Sequence, residues 1–153
     1  MLPVKRIVCP TDFSELSLQA LREAVDLATH FGADIHLLNV IPSSDFPTDS
    51  EGIILPNAEE EYCTAVREKL SEIATRFASK GLHITAVVEL GDPADQIVRF
   101  ARDKQADLIV IATHGAKGWR HIAFGSVAEK VVRFAACPVL TIRTVAGQAA
   151  TAA

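Results

Sequence analysis

The chain is poor in cysteine. Among its 153 residues only Cys9, Cys63 and Cys137 occur, an odd number, widely spaced, with no Cys-x-x-Cys pair. That pattern argues against a disulfide framework and against a structural zinc site, and leaves three reduced thiols. No apolar run reaches the roughly 18 residues of a membrane span, so no membrane partner is expected. The first residues, Met1-Leu2-Pro3-Val4-Lys5-Arg6, enter a strand-like segment without the apolar stretch of a secretory signal. The expected location is therefore cytoplasmic. A basic excess is also missing: 15 Lys and Arg stand against 19 Asp and Glu, a net charge of −4. Nucleic acid finds no electrostatic footprint here, and any anion must be recognised locally. Three well-known fingerprints are absent too: the P-loop G-x-x-x-x-G-K-[ST], a G-x-G-x-x-G after the first strand, and the G-x-S-x-G elbow of hydrolases. No residue set combines nucleophile, base and orienting group.

What is present is an ordinary globular composition, 49% hydrophobic and 22% charged. The length suits one domain, residues 1–144, followed by an uncharged tail, Val145–Ala153, that is expected to fray. "KRIVCP" (Lys5–Pro10) reads as a buried strand bounded by proline. Asp12-Phe13-Ser14-Glu15 then carries helix-opening signals, Leu18, Leu21, Val25 and Ala28 recur at helical steps, and Gly32 supplies a stop. "DIHLLNV" (Asp34–Val40) is a second strand. An irregular stretch with three prolines follows over Ile41–Asn57, long enough to suggest a functional or mobile loop. A helix from Ala58 places Val66, Leu70, Ile73 and Phe77 on one face and is expected to end at Gly81. "HITAVVE" (His83–Glu89) alternates, as suits a strand at the edge of a sheet. Asp92-Pro93 opens a further helix that carries Ile97, Val98 and Ala101. "DLIVIA" (Asp107–Ala112) is the most continuously apolar strand and is expected to be central. Ser126–Ala136 reads as a helix and "PVLTIR" (Pro138–Arg143) as a last strand. Strands alternating with helices imply an α/β fold, an open parallel sheet with helices on both faces.

In such sheets ligands bind beyond the carboxyl ends of the strands, where the winding reverses. The first strand ends in Pro10-Thr11-Asp12 and the fourth in Ala112-Thr113-His114. The fourth runs into "ATHGAKGWRHIAFGS" (Ala112–Ser126), which holds Gly115, Gly118 and Gly125, and no acid appears until Glu129. Glycines let a backbone approach a ligand and turn its amides toward it. Gly125, Ser126 and Val127 stand at a helix start, where unpaired N–H groups favour phosphate, and Lys117 and Arg120 add positive charge. The parts suit a polyphosphate, and they also suit a plain turn. Asp12 and Ser126 are equally compatible with helix capping. His114 and His121 show no metal-ligand pattern, and His30, His36 and His83 read as structural. Trp119 covers either the site or an interface.

"PTDFSE" after the first strand, "ATHG" with nine residues and "GS", and "VAEKVVRFAACPVLTIR" together resemble the universal stress protein family, over about residues 4–143. The resemblance implies a Rossmann-like sheet of five strands in the order 3-2-1-4-5, and a homodimer through Pro138–Arg143. In the nucleotide-binding branch the motif is G-x-x-G-x9-G-[ST]. Gly115 matches its second glycine and Gly125-Ser126 its closing pair, whereas Ala112 stands where the first glycine would be. By the same likeness Asp12 matches an acid near ribose and phosphates, with Mg²⁺ or Mn²⁺ between carboxylate and phosphate. Val40 matches the position whose backbone recognises adenine. The ligand implied is ATP, or AMP or ADP, held by Pro10, Thr11, Asp12, Val40, Ala112, Thr113, His114, Gly115, Gly118, Gly125, Ser126 and Val127. Three functions stay open: a dimeric stress-response sensor of adenine nucleotide, a slow ATP hydrolase, and a nucleotide-free dimer acting through protein partners.

Overall fold

The computed structural model describes residues 3–114 and 124–143. Gly115, Lys117, Gly118, Trp119, Arg120, His121 and the tail Val145–Ala153 lie outside the described residues.

Five strands, β1 (Arg6–Pro10), β2 (Asp34–Ile41), β3 (Ile84–Leu90), β4 (Leu108–Ala112) and β5 (Val139–Ile142), form one sheet in the order β3-β2-β1-β4-β5. Every neighbouring pair is parallel. Four helices make the crossovers: α1 (Glu15–Phe31), α2 (Ala58–Phe77), α3 (Pro93–Asp103) and α4 (Ser126–Phe134). This is the Rossmann-like order that the family resemblance implies. Strand β4 is interior, beside the middle strand β1; both have five residues, but β1 opens on exposed Arg6, so its apolar run is shorter.

Alternation along the strands divides the core in two. Ile7, Cys9, Ile35, Leu37 and Val110 pack with Ala20, Leu21 and Ala24 of α1 and with Leu70 and Ile73 of α2. Val8, Leu38, Ile109 and Ile111 pack on the other face with Ile97 and Phe100 of α3 and with Ala128 and Val131 of α4. The chain thus winds from β1 outward to β3 under one pair of helices, then crosses back to β4 and β5 under the other. The winding reverses between β1 and β4.

Local chemistry sets the helix ends, and four differ from the sequence reading: α4, for one, ends at Phe134 rather than Ala136 because Ala135 turns to an extended backbone. Ser14, not Asp12, caps α1, its hydroxyl accepting from Ser17 N at 3.3 Å. Asp12 lies two residues earlier, and its Oδ1 accepts from Ser14 N at 3.0 Å, fixing the turn into the helix. Gly125, not Ser126, is the N-cap of α4, with no side-chain cap bond. The second helix, α2, ends at Phe77, short of Gly81, because Ala78 turns to an extended backbone; Gly81, at φ +85, serves a separate turn bridging Ser79 and Leu82. Gly32 ends α1 in the left-handed region and Asp92 caps α3 ahead of Pro93, both as expected.

The stretch after β2 has internal order. It contains a turn of 3₁₀-helix, Ser43–Asp45, and a bridge from Thr48 to Ile54. Asp49 Oδ1 accepts from the N–H groups of Glu51 and Ile53, both at 2.9 Å. Phe46 is buried and meets the Tyr62 ring edge-on at 5.9 Å, anchoring the loop to α2.

Candidate functional site

A cleft of about 690 Å³ opens beyond the carboxyl ends of β1, β2 and β4, at the reversal of winding. That size is within the range of small-molecule sites, roughly 300–1,000 Å³. All the described residues that the sequence marks as candidates line it: Pro10, Thr11, Asp12, Val40, Ala112, Thr113, His114, Gly125, Ser126 and Val127. Sequences more than 100 residues apart are brought to one wall because β1 and β4 are neighbours in the sheet.

The phosphate-like end is built from the start of α4. Gly125 N–H donates to the Thr113 carbonyl at 2.6 Å, clamping the helix start against the end of β4. A Cβ on Gly125 would stand 3.1 Å from that same carbonyl, so glycine is needed here for close approach; its φ of −72 is ordinary. Among the described residues no side chain caps α4, and its first residues, Gly125, Ser126 and Val127, line the cleft, where the N–H groups of a helix start favour an anion. Thr113 is buried, and its hydroxyl shares a hydrogen bond of 2.9 Å with His114 Nδ1, orienting the ring. Asp12 is exposed at the rim. Among the described residues no group of three or more His, Cys, Asp or Glu is arranged to hold a metal. A divalent cation here would need ligand oxygens of its own, such as phosphates, beside Asp12.

The opposite end is framed by β2. Its backbone groups alternate: Asp34 N–H donates to Lys5 and the Leu38 carbonyl accepts from Thr11, both toward β1, whereas Ile35 N–H donates to His83 and the Ile41 carbonyl accepts from Gly91, toward β3. Val40 has the parity of Asp34 and Leu38. Its N–H and C=O therefore point sideways past the end of β1, into the cleft. Ala112, buried and last in β4, is not among the residues with positive φ. The methyl group there alters room, not backbone conformation.

Sequence reasoning missed Phe13, Asn39, Pro42, Asp45, Tyr62 and Val66, which also line the cleft. Most come from α2 and the loop before it, and only the packing of α2 on β2 and β3 brings them near. Lys69, also on α2, sits 4.3 Å over the Phe13 ring and brings a cation close to the rim. Cys9 lies just below Pro10, but burial pushes its thiol up to about 12, so it stays protonated and supplies no nucleophile.

An open, doubly wound parallel sheet with a cleft at its switch point defines the Rossmann-like α/β class. Residues 3–143 match the family model described as the Universal stress protein family. The chain belongs to the universal stress protein family. Universal stress protein MJ0531 of Methanocaldococcus jannaschii is 37% identical to it over 142 residues, 91% of this chain and 82% of that one. Among solved structures, the protein MJ0577 of the same organism superposes with a TM-score of 0.82 at 26% identity, covering 95% and 99% of the two chains. The universal stress protein from Archaeoglobus fulgidus in complex with dAMP gives 0.65 at 26% identity, covering 93% and 99%.

Proposed function

We propose that this protein binds ATP, or another adenine nucleotide, with Mg²⁺ or Mn²⁺, and works as a dimeric nucleotide-dependent switch in a cytoplasmic stress response. The observation that carries the reading is the convergence of the Val40 backbone, the Asp12 carboxylate and the uncapped start of α4 on one cleft. A base would lie against Val40, and phosphates against Gly125, Ser126 and Val127. Asp12 would meet the phosphates through the cation, since carboxylate and phosphate repel each other directly. The dAMP complex of the Archaeoglobus fulgidus relative supports the choice of adenine nucleotide. Dimerisation would run along β5, which among the described residues pairs only with β4 and carries exposed Leu140, while the preceding helix α4 exposes Val132 and Phe134.

Isothermal titration with Mg-ATP tests the assignment. Gly125→Asp drives a side chain and a negative charge toward the Thr113 carbonyl and the phosphates, and should abolish binding while the fold persists. Equal affinity of the two proteins would remove the phosphate assignment. Mass spectrometry of whatever leaves the freshly purified protein on denaturation would name the resident nucleotide. Steady multiple-turnover phosphate release would make the protein a hydrolase instead.

A further inference from the structure

We propose that Asn39 and Thr11 are positioning residues: together they stop β1 short, so that the backbone of Val40 faces the cleft as an unpaired donor–acceptor edge. The inference rests on the adenine nucleotide reading above and assigns the groups that create its base-recognition edge.

Were β1 to continue in register, Val40 N–H would donate to the Thr11 carbonyl, and Phe13 N–H would donate to the Val40 carbonyl. Thr11 N–H still keeps to the ladder, donating to the Leu38 carbonyl at 2.8 Å. The next two bonds are diverted. The Thr11 carbonyl accepts instead from Asn39 Nδ2 at 2.8 Å, and Phe13 N–H donates instead to Thr11 Oγ1 at 3.1 Å. A third contact fixes the diversion. Ser17 Oγ donates to the Ser14 carbonyl at 2.8 Å, which leaves the Thr11 hydroxyl to donate to Ser17 Oγ, also at 2.8 Å. Phe13, at φ +66, then turns the chain off the sheet.

Asn39 is only 7% exposed and Thr11 only 5%, so water competes weakly for these bonds. Among the described residues, both partners that a longer β1 would offer Val40 are therefore engaged elsewhere. The edge left over has a donor beside an acceptor. It fits a ring that presents an acceptor nitrogen next to an amino group, as adenine does; guanine presents the reverse pattern.

Backbone amide exchange of the isotope-labelled full chain, read by NMR without nucleotide, tests the clasp directly. In the wild type Val40 N–H should exchange rapidly while Leu38 N–H is protected. Asn39→Ala releases the Thr11 carbonyl, and Val40 N–H should then gain protection by about tenfold as the ladder extends. The same variant should lower the preference for Mg-ATP over Mg-GTP by about tenfold while leaving affinity for inorganic triphosphate unchanged. A merely structural role would weaken all three ligands together. If Asn39→Ala does not fold, the near-isosteric Thr11→Val, which frees Phe13 N–H, decides by the same nucleotide preference. Unchanged Val40 exchange and unchanged base preference in a folded variant, or a wild-type Val40 amide as protected as Leu38, would overturn the proposal. A wild type that binds no adenine nucleotide would instead overturn the functional reading, and the exchange result, obtained without nucleotide, would still judge the clasp.

Discussion

Ala112 is the one residue at which the fourth strand's loop departs from the nucleotide-binding motif. Its φ is not positive, so the departure stores no backbone strain, and the residue lines the cleft. Under the nucleotide reading, Ala112→Gly should tighten Mg-ATP binding by up to about tenfold, roughly 1.4 kcal/mol. Titration calorimetry measures the gain. Because Ala112 also touches the core, the ligand-free melting temperature should fall, by a few degrees at most. Unchanged affinity would mean that the methyl lies away from the ligand. Residues that line the cleft from strand ends and helix starts were legible from the sequence, because in an open parallel sheet those positions follow from the order of the elements. Tyr62 and Val66 were not. They lie within α2, where Val66 reads as part of the core face, and only tertiary packing brings them to the cleft.

The elements themselves were largely legible, since strand and helix periodicities are local. Helix ends were less so: Asp12, Ser14, Gly125 and Ser126 are all good capping residues, and the sequence does not say which of two near neighbours the chain will use. At this scale β2 carries a pH dependence. His36 projects onto the α3 face, edge-on to Phe100 at 5.5 Å, and its Nδ1 is buried with no hydrogen-bond partner among the described residues. Burial lowers its pKa below 6.5; Lys104 and Arg6 add to the shift, and Asp34 opposes it. A histidine that folds best uncharged contributes fully above its unfolded pKa, and that contribution is lost as pH falls through the lowered folded value. The urea midpoint should therefore drop between pH 7 and pH 5 by more in the wild type than in His36→Leu. Parallel losses in the two proteins would show that other groups govern the acid side.

For the whole molecule, the consequential feature is β5, which among the described residues pairs on one side only, with β4. Leu140 is 39% exposed there and Phe134, at the end of α4, 60%, apolar surface that a second copy of the chain could cover. Light scattering should give a dimer mass at tens of micromolar, on the order of ordinary assay concentrations, and Leu140→Lys should give monomer or aggregate. A monomeric wild type at that concentration would refute the dimer.

The central place of β1 also bears on how the chain reaches this shape. It pairs with β2 across a single helix, but its other seam closes against a segment about a hundred residues away, as the bond from Arg6 N to Asp107 shows with its separation of 101. Closing so long a loop is costly in chain entropy, so such pairings slow folding. During synthesis the first three strands can meet their neighbours in order, while β1 waits with one edge bare for β4 to emerge. The cleft spans that seam. Its two walls come together only when the late half docks, so a molecule that fills it can act only on chains that have completed this step.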